Sequence, residues 1–150
     1  MENERALDGL IERELSENGY YASNTLGRSM QPLFKTHRDM VIIERVQGEL
    51  KKYDVALYKD SHSRYVLHRV IAVRDGYYVM RGDNNFFRET VKKDAVIGVL
   101  VAYRNKNRRH SVNELHYKIY SRFWHYIYPF RAFFRKTRMA LSRVKAKMKK

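Results

Sequence analysis

Residues 64–85 read RYVLHRVIAVRDGYYVMRGDNN. Two runs rich in Val, Ile and Tyr flank Asp75-Gly76, a dipeptide suited to the tight turn between paired strands. The segment VIAVRDGYYVM is therefore predicted to be a β-hairpin. On either side, DMVIIERV (39–46), DVALYK (54–59) and AVIGVLVAY (95–103) share its texture. They are separated by QGELKKY, DSHS and DNNFFRETVKKD, which carry turn and polar residues. Short β segments divided in this way indicate an antiparallel β domain. No internal repeat is present.

The flanks differ. In residues 3–17, Ala6, Leu7, Leu10, Ile11 and Leu15 recur at helical spacing, and Gly19 is placed to end the helix. YYAS (20–23) reads as a short strand. Beyond RNKNRRHS, residues 114–149 mix apolar and basic side chains in a helical pattern interrupted near Pro129. The expected organisation is a helix over 1–19, a β-rich domain over 20–111 and a basic aromatic helical tail over 112–150.

Charge follows the same division. The chain has 150 residues and a net charge of +15. Residues 1–103 contain 16 Lys and Arg against 15 Asp and Glu, whereas residues 104–150 contain 15 against Glu114 alone. Attraction to a polyanion is thus a property of the tail, and the near-neutral body argues against a nucleic-acid-binding module as the main function. The chain has no cysteine, which excludes disulfides, thiolate metal sites and a cysteine nucleophile. The N-terminus is acidic and lacks the apolar run of a signal peptide. No stretch approaches the roughly 20 apolar residues of a membrane span.

Four residues carry candidate chemistry. Ser29 lies in TLGRSMQPLF (25–34), between a conformationally free Gly27 and Pro32, where a hydroxyl can cap a turn or serve as a nucleophile. Backbone N–H groups from Gly27 through Arg28 to Ser29 are candidates to face an oxyanion. His68 alternates with Leu67 and Arg69 on its strand; it reads either as a core histidine or as a base of near-neutral pKa. His37 and His62 sit in polar loops and look less fixed. Asp83 follows Gly82 in a Gly-Asp-Asn turn, where it commonly bonds its own backbone. Glu89 lies six residues later and reads otherwise as a surface ion-pair partner. Either acid can hold an imidazole tautomer.

GRSMQPLF, LHRV and RGDNN occur in that order, with 39 positions from Ser29 to His68 and 15 from His68 to Asp83. This combination resembles the signal peptidase and LexA-like serine peptidase superfamily, most closely the signal peptidases that use serine and histidine. The resemblance covers about residues 24–103. It implies a mainly β, coiled antiparallel domain whose cleft takes an extended peptide, with no metal and no organic cofactor. It implies Ser29 as nucleophile, His68 as general base, Gly27 to Ser29 as oxyanion site, and Met30 and Pro32 as part of the substrate site. The family's orienting acid is usually Asp a few residues past Gly-Asp-Asn-Asn; Glu89 stands near that place, so both Asp83 and Glu89 are retained. THRDMVII matches the family's Gly-Asp strand opening, with Arg38 in place of glycine.

Two departures qualify the likeness. The stretch before the motif reads as free of a membrane segment, and at about 23 residues it is expected to be too short for the DNA-binding domain of a repressor. The expected activity is endopeptidase cleavage of a leader or signal-like region of a peptide or preprotein. The alternative is an inactive peptide-binding or membrane-adaptor protein with the same fold. In the tail, Trp124 and its neighbouring tyrosines suit a polar–apolar boundary, and Arg122, Arg131, Arg135 and Lys136 suit lipid phosphates. The tail is therefore expected at an anionic membrane surface, giving a peripheral membrane or cytoplasmic protein. Packing on the β domain or on a partner protein, and contact with single-stranded nucleic acid, are the alternatives for this segment.

Overall fold

The computed structural model describes residues 9–147, with side chains to Ser142. Residues 3–8 of the expected first helix and the closing run of lysines fall outside that description.

The hairpin forms as its sequence requires. β4 (Tyr65–Val73) turns through Asp75-Gly76 into β5 (Tyr77–Arg81), with Val73 opposite Tyr78. Gly76 takes φ 75°, the left-handed region that such a turn needs. The other strands are β1 (Tyr20–Asn24), β2 (Met40–Arg45), β3 (Val55–Lys59), β6 (Glu89–Lys92), β7 (Val96–Asn105) and β8 (Arg108–Ser111). They build one open antiparallel sheet in the order β1-β2-β7-β3-β4-β5-β6, with β8 also paired to β7. β7 is the hub: β2 follows one edge from Gly98 to Arg104, while β3 and then β8 occupy the other.

β3 shows why the sheet holds. Alternate residues point to opposite faces. Val55 and Leu57 enter one apolar cluster with Ile43, Leu100 and Phe34, and Ala56 and Tyr58 enter a second with Val70, Tyr78 and Met80. Both faces of β3 are therefore covered. α1 (Leu10–Glu17) closes the first cluster with Ile11 and Leu15. Gly98 permits the close crossing of β7 and β2, since a Cβ there would lie 2.5 Å from Ile43 Cγ2 and 2.9 Å from the Glu44 carbonyl oxygen.

Two strands were not anticipated. β6 falls inside the segment read as a separator, and β8 inside the boundary stretch. The tail is helical, as α2 (Leu115–Tyr126) and α3 (Tyr128–Lys147), and breaks at Ile127, two residues before Pro129. Among the described residues no helix is long and apolar enough to cross a membrane.

Candidate active site

Ser29 is held in a loop that spans residues 25–39 and is braced from both ends. Thr25 and Asp39 close it: the Thr25 N–H donates to the Asp39 carbonyl at 2.8 Å, and Thr25 Oγ1 donates to the same oxygen at 3.1 Å. The buried Asp39 carboxylate accepts from Lys35 N at 2.8 Å and from the Arg38 guanidinium at 2.6 and 2.8 Å. Burial alone would raise the Asp39 pKa, but these donors lower it below the ordinary carboxylate value. Arg38 thus supports the loop. Gly27 has φ 77°, and Ser29 opens a series of turns after it. Among the described residues, no protein acceptor pairs with the N–H groups of Gly27, Arg28 or Ser29.

His68 is buried on the face of β4 that also carries Val66 and Val70, as alternation requires. Its Nδ1 lies 2.9 Å from Glu89 Oε2 and 3.0 Å from Tyr58 Oη. Tyr58 Oη donates to the same Glu89 oxygen. Burial, followed by the hydrogen bond to Glu89 and then its charge, raises the Tyr58 pKa and keeps that hydroxyl protonated. These partners select the tautomer with hydrogen on Nδ1. Nε2 then carries the lone pair and accepts from Asn85 Nδ2 at 3.4 Å. Burial lowers the His68 pKa below its ordinary value of 6.5, and the Glu89 charge opposes that fall only in part. The imidazole is therefore neutral at pH 7, the form a base requires.

Gly82 brings the serine loop and the histidine strand together. A Cβ on it would lie 2.6 Å from the Ser29 carbonyl oxygen and 3.0 Å from His68 Cδ2. Asn84 N donates to the same Ser29 carbonyl at 2.7 Å, and Asn84 Nδ2 reaches the Arg28 carbonyl at 3.3 Å. Ser29 and His68, 39 positions apart in sequence, thus press against one glycine. Among the described residues no hydrogen bond joins Ser29 Oγ to His68. A methyl group on Gly82 would have to push the Ser29 backbone away, so Gly82→Ala is expected to destabilise the junction between the Ser29 loop and β4 by about 1–3 kcal/mol. Thermal unfolding would check it: the midpoint should fall.

The two acids have different surroundings. Glu89 reaches His68; Asp83 does not. Asp83 is buried and accepts from Arg69 Nε at 2.8 Å and Nη2 at 2.7 Å. Tyr120 Oη donates to the same carboxylate at 3.0 Å, while Trp124 Nε1 and Arg131 Nη1 donate to the Asp83 carbonyl at 2.7 and 3.0 Å. Tyr128 Oη donates to the Phe86 carbonyl at 3.0 Å. The turn that touches Ser29 and His68 is therefore clamped from outside by α2 and α3. Trp124 and Arg131, expected at a lipid surface, are turned toward the β body. Arg122, Arg135 and Lys136 are exposed, with Arg135 lying 4.3 Å from the Phe86 ring centre and Arg122 5.4 Å from that of Tyr53.

A groove of about 410 Å³ runs up to Ser29. Its walls include Ser23 on β1, Thr25 just beyond it, Tyr65 and Leu67 on β4, and Met30. Each strand offers an unpaired edge there. Among the described residues β1 pairs only with β2, and β4 from Tyr65 to Leu67 pairs only with β3, because β5 joins it at Arg69. Pro32 is not among the groove's walls; it borders a separate depression with Arg28, Asn84 and Trp124.

Tyr58 and Asn85 escaped the sequence reading. In DVALYK, alternation places Tyr58 on the face of Ala56, which pairs with His68, and that register is the signal that would have found it. Asn85 was visible only as part of RGDNN. Comparison with family models, curated proteins and solved structures gives no match for this chain.

Proposed function

We propose that this chain is a serine endopeptidase with the coiled β fold of the signal peptidase and LexA-like type, and that it trims a leader or signal-like region from a peptide or preprotein. The observation that carries this reading is the junction at Gly82, where the loop of Ser29 meets a buried neutral histidine whose Nδ1 is committed to Glu89. An extended substrate would lie in the groove and bond to the free edges of β1 and β4, with side chains entering the apolar floor near Met30.

In the proposed reaction, His68 Nε2 takes the Ser29 Oγ proton as Oγ attacks the scissile carbonyl. The N–H groups of Gly27 to Ser29 stabilise the resulting oxyanion. The C–N bond breaks, His68 returns the proton to the leaving amine, and water activated by His68 hydrolyses the ester. Glu89 would hold the tautomer and stabilise the imidazolium. Asn85 must yield at Nε2 as Ser29 engages, a tightening common when substrate enters an apo site.

Glu89→Gln is expected to lower kcat/KM by about 10²-fold, because the partner that fixes Nδ1–H is weakened. Protonated His68 cannot act as base, so activity should fall as pH drops through a folded His68 pKa below 6.5. Loss of the Glu89 charge removes a contribution that raises this pKa, so the acid limb of the profile should move to lower pH. A pH–rate profile of both proteins tests the sign.

Peptide binding without cleavage is the second reading, favoured by the missing Ser29–His68 hydrogen bond noted above. Incubating the wild type and Ser29→Ala with a peptide library, with products mapped by mass spectrometry, separates the two. Defined cleavage by the wild type alone supports the peptidase; retention of peptides without cleavage by either supports the binding protein.

A further inference from the structure

We propose that the outward face of α2 and α3 is a docking surface for an anionic lipid bilayer, built from residues other than those that grip the β body. The two helices divide their side chains sharply. Tyr117, Tyr120, Trp124, Tyr128 and Arg131 face inward, toward Arg69 and the Asp83 turn. Leu115, Ile119, Phe123, Phe130, Phe133 and Phe134 recur at helical spacing on another side and are each between 57% and 73% exposed. Leu141 continues the same stripe further along α3.

Such a stripe is not the surface of a helix at home in water. α3 has 20 residues, a length of about 30 Å, and every residue from Phe133 to Ser142 is exposed. A helix that gains so little from packing needs another surface for its apolar face. The charge decides which surface. Lys118, Arg122, Lys136 and Arg138 are exposed on the same helices, and residues 104–150 hold 15 basic residues against one acid. A second copy of the chain would bring like charges together. An anionic bilayer meets both demands at once, with phenylalanines entering the acyl boundary and basic side chains reaching lipid phosphates. The inward face of the same helices holds the Asp83 turn, so a docked molecule would sit with its candidate catalytic turn directly behind the lipid-facing helices.

The test uses the full chain carrying Ser29→Ala, so that it reads binding independently of the peptidase proposal. Co-sedimentation is measured with vesicles of phosphatidylglycerol and phosphatidylcholine and with vesicles of phosphatidylcholine alone. Binding is expected to the anionic vesicles, to weaken on raising NaCl from about 0.1 to about 0.5 M, and to fall by roughly tenfold or more in Ile119→Glu/Phe123→Glu/Phe130→Glu. These positions are exposed, so circular dichroism should be unchanged. Should the triple variant misfold, Lys118→Gln/Arg122→Gln/Lys136→Gln/Arg138→Gln supplies the same test through charge. Failure of the full chain to bind anionic vesicles overturns the proposal, as does equal binding by a folded variant. Concentration-dependent dimerisation that the triple variant abolishes, without vesicle binding, would assign the stripe to a second copy and also overturn it.

Discussion

Replacing Ser29 with alanine is expected to reduce peptide cleavage by about 10⁴-fold or more, and replacing His68 with alanine should cost a similar factor. In the proposed mechanism both groups act in one proton transfer, so the double variant should be little worse than either single one. Such non-additivity distinguishes a working pair from two residues that each support the fold. The surroundings also predict that Ser29→Ala is structurally mild. Ser29 contributes its backbone carbonyl, not its hydroxyl, to the contacts with Asn84 and Gly82. His68→Ala is less innocent, because it removes a buried ring and leaves Tyr58 and Glu89 without their shared partner. Unfolding curves recorded beside the kinetics would separate the two effects.

The second large effect concerns stability. Arg69 and Asp83 form an ion pair whose side chains are 2% and 3% exposed. Burial opposes the Arg69 charge, but Asp83 and Tyr117 more than offset this and raise its pKa above the usual arginine value. Asp83→Ala would strand that cation and release Tyr120 from the turn. The expected cost is about 3–5 kcal/mol, read as a lower urea midpoint. Substituting both partners, as Arg69→Met/Asp83→Leu, should recover much of the loss, because no buried charge is then left unpaired. An unchanged midpoint in Asp83→Ala would contradict the buried pair.

The contrast between these acids shows what the sequence carried and what it did not. The hairpin was legible because Asp75-Gly76 divides two Val- and Tyr-rich runs, and the central strands because both of their faces are apolar. β6 was hidden: in ETVK only Val91 is buried, and the strand exists because it pairs with β5. β8 is RRHS, with no apolar residue to betray it, and it forms along the end of β7. Ser29 and His68 were visible from local pattern, but the choice between Asp83 and Glu89 rests on tertiary contacts. Arg69 lies next to His68 in sequence and on the opposite face of β4, and it is Arg69 that takes Asp83. The tail was recognisably helical and basic. Its division into a gripping face and an exposed face depends on where α2 meets the Asp83 turn, which composition does not encode.

In the proposed reaction Ser29 Oγ attacks a peptide carbonyl with His68 as its base. Quenching the wild-type protein during turnover of an ester of a cleaved peptide, and mapping covalent adducts by mass spectrometry, tests it most directly. An acyl group on Ser29 that fails to form in His68→Ala is the predicted result; turnover that leaves Ser29 unmodified and persists in Ser29→Ala would contradict it.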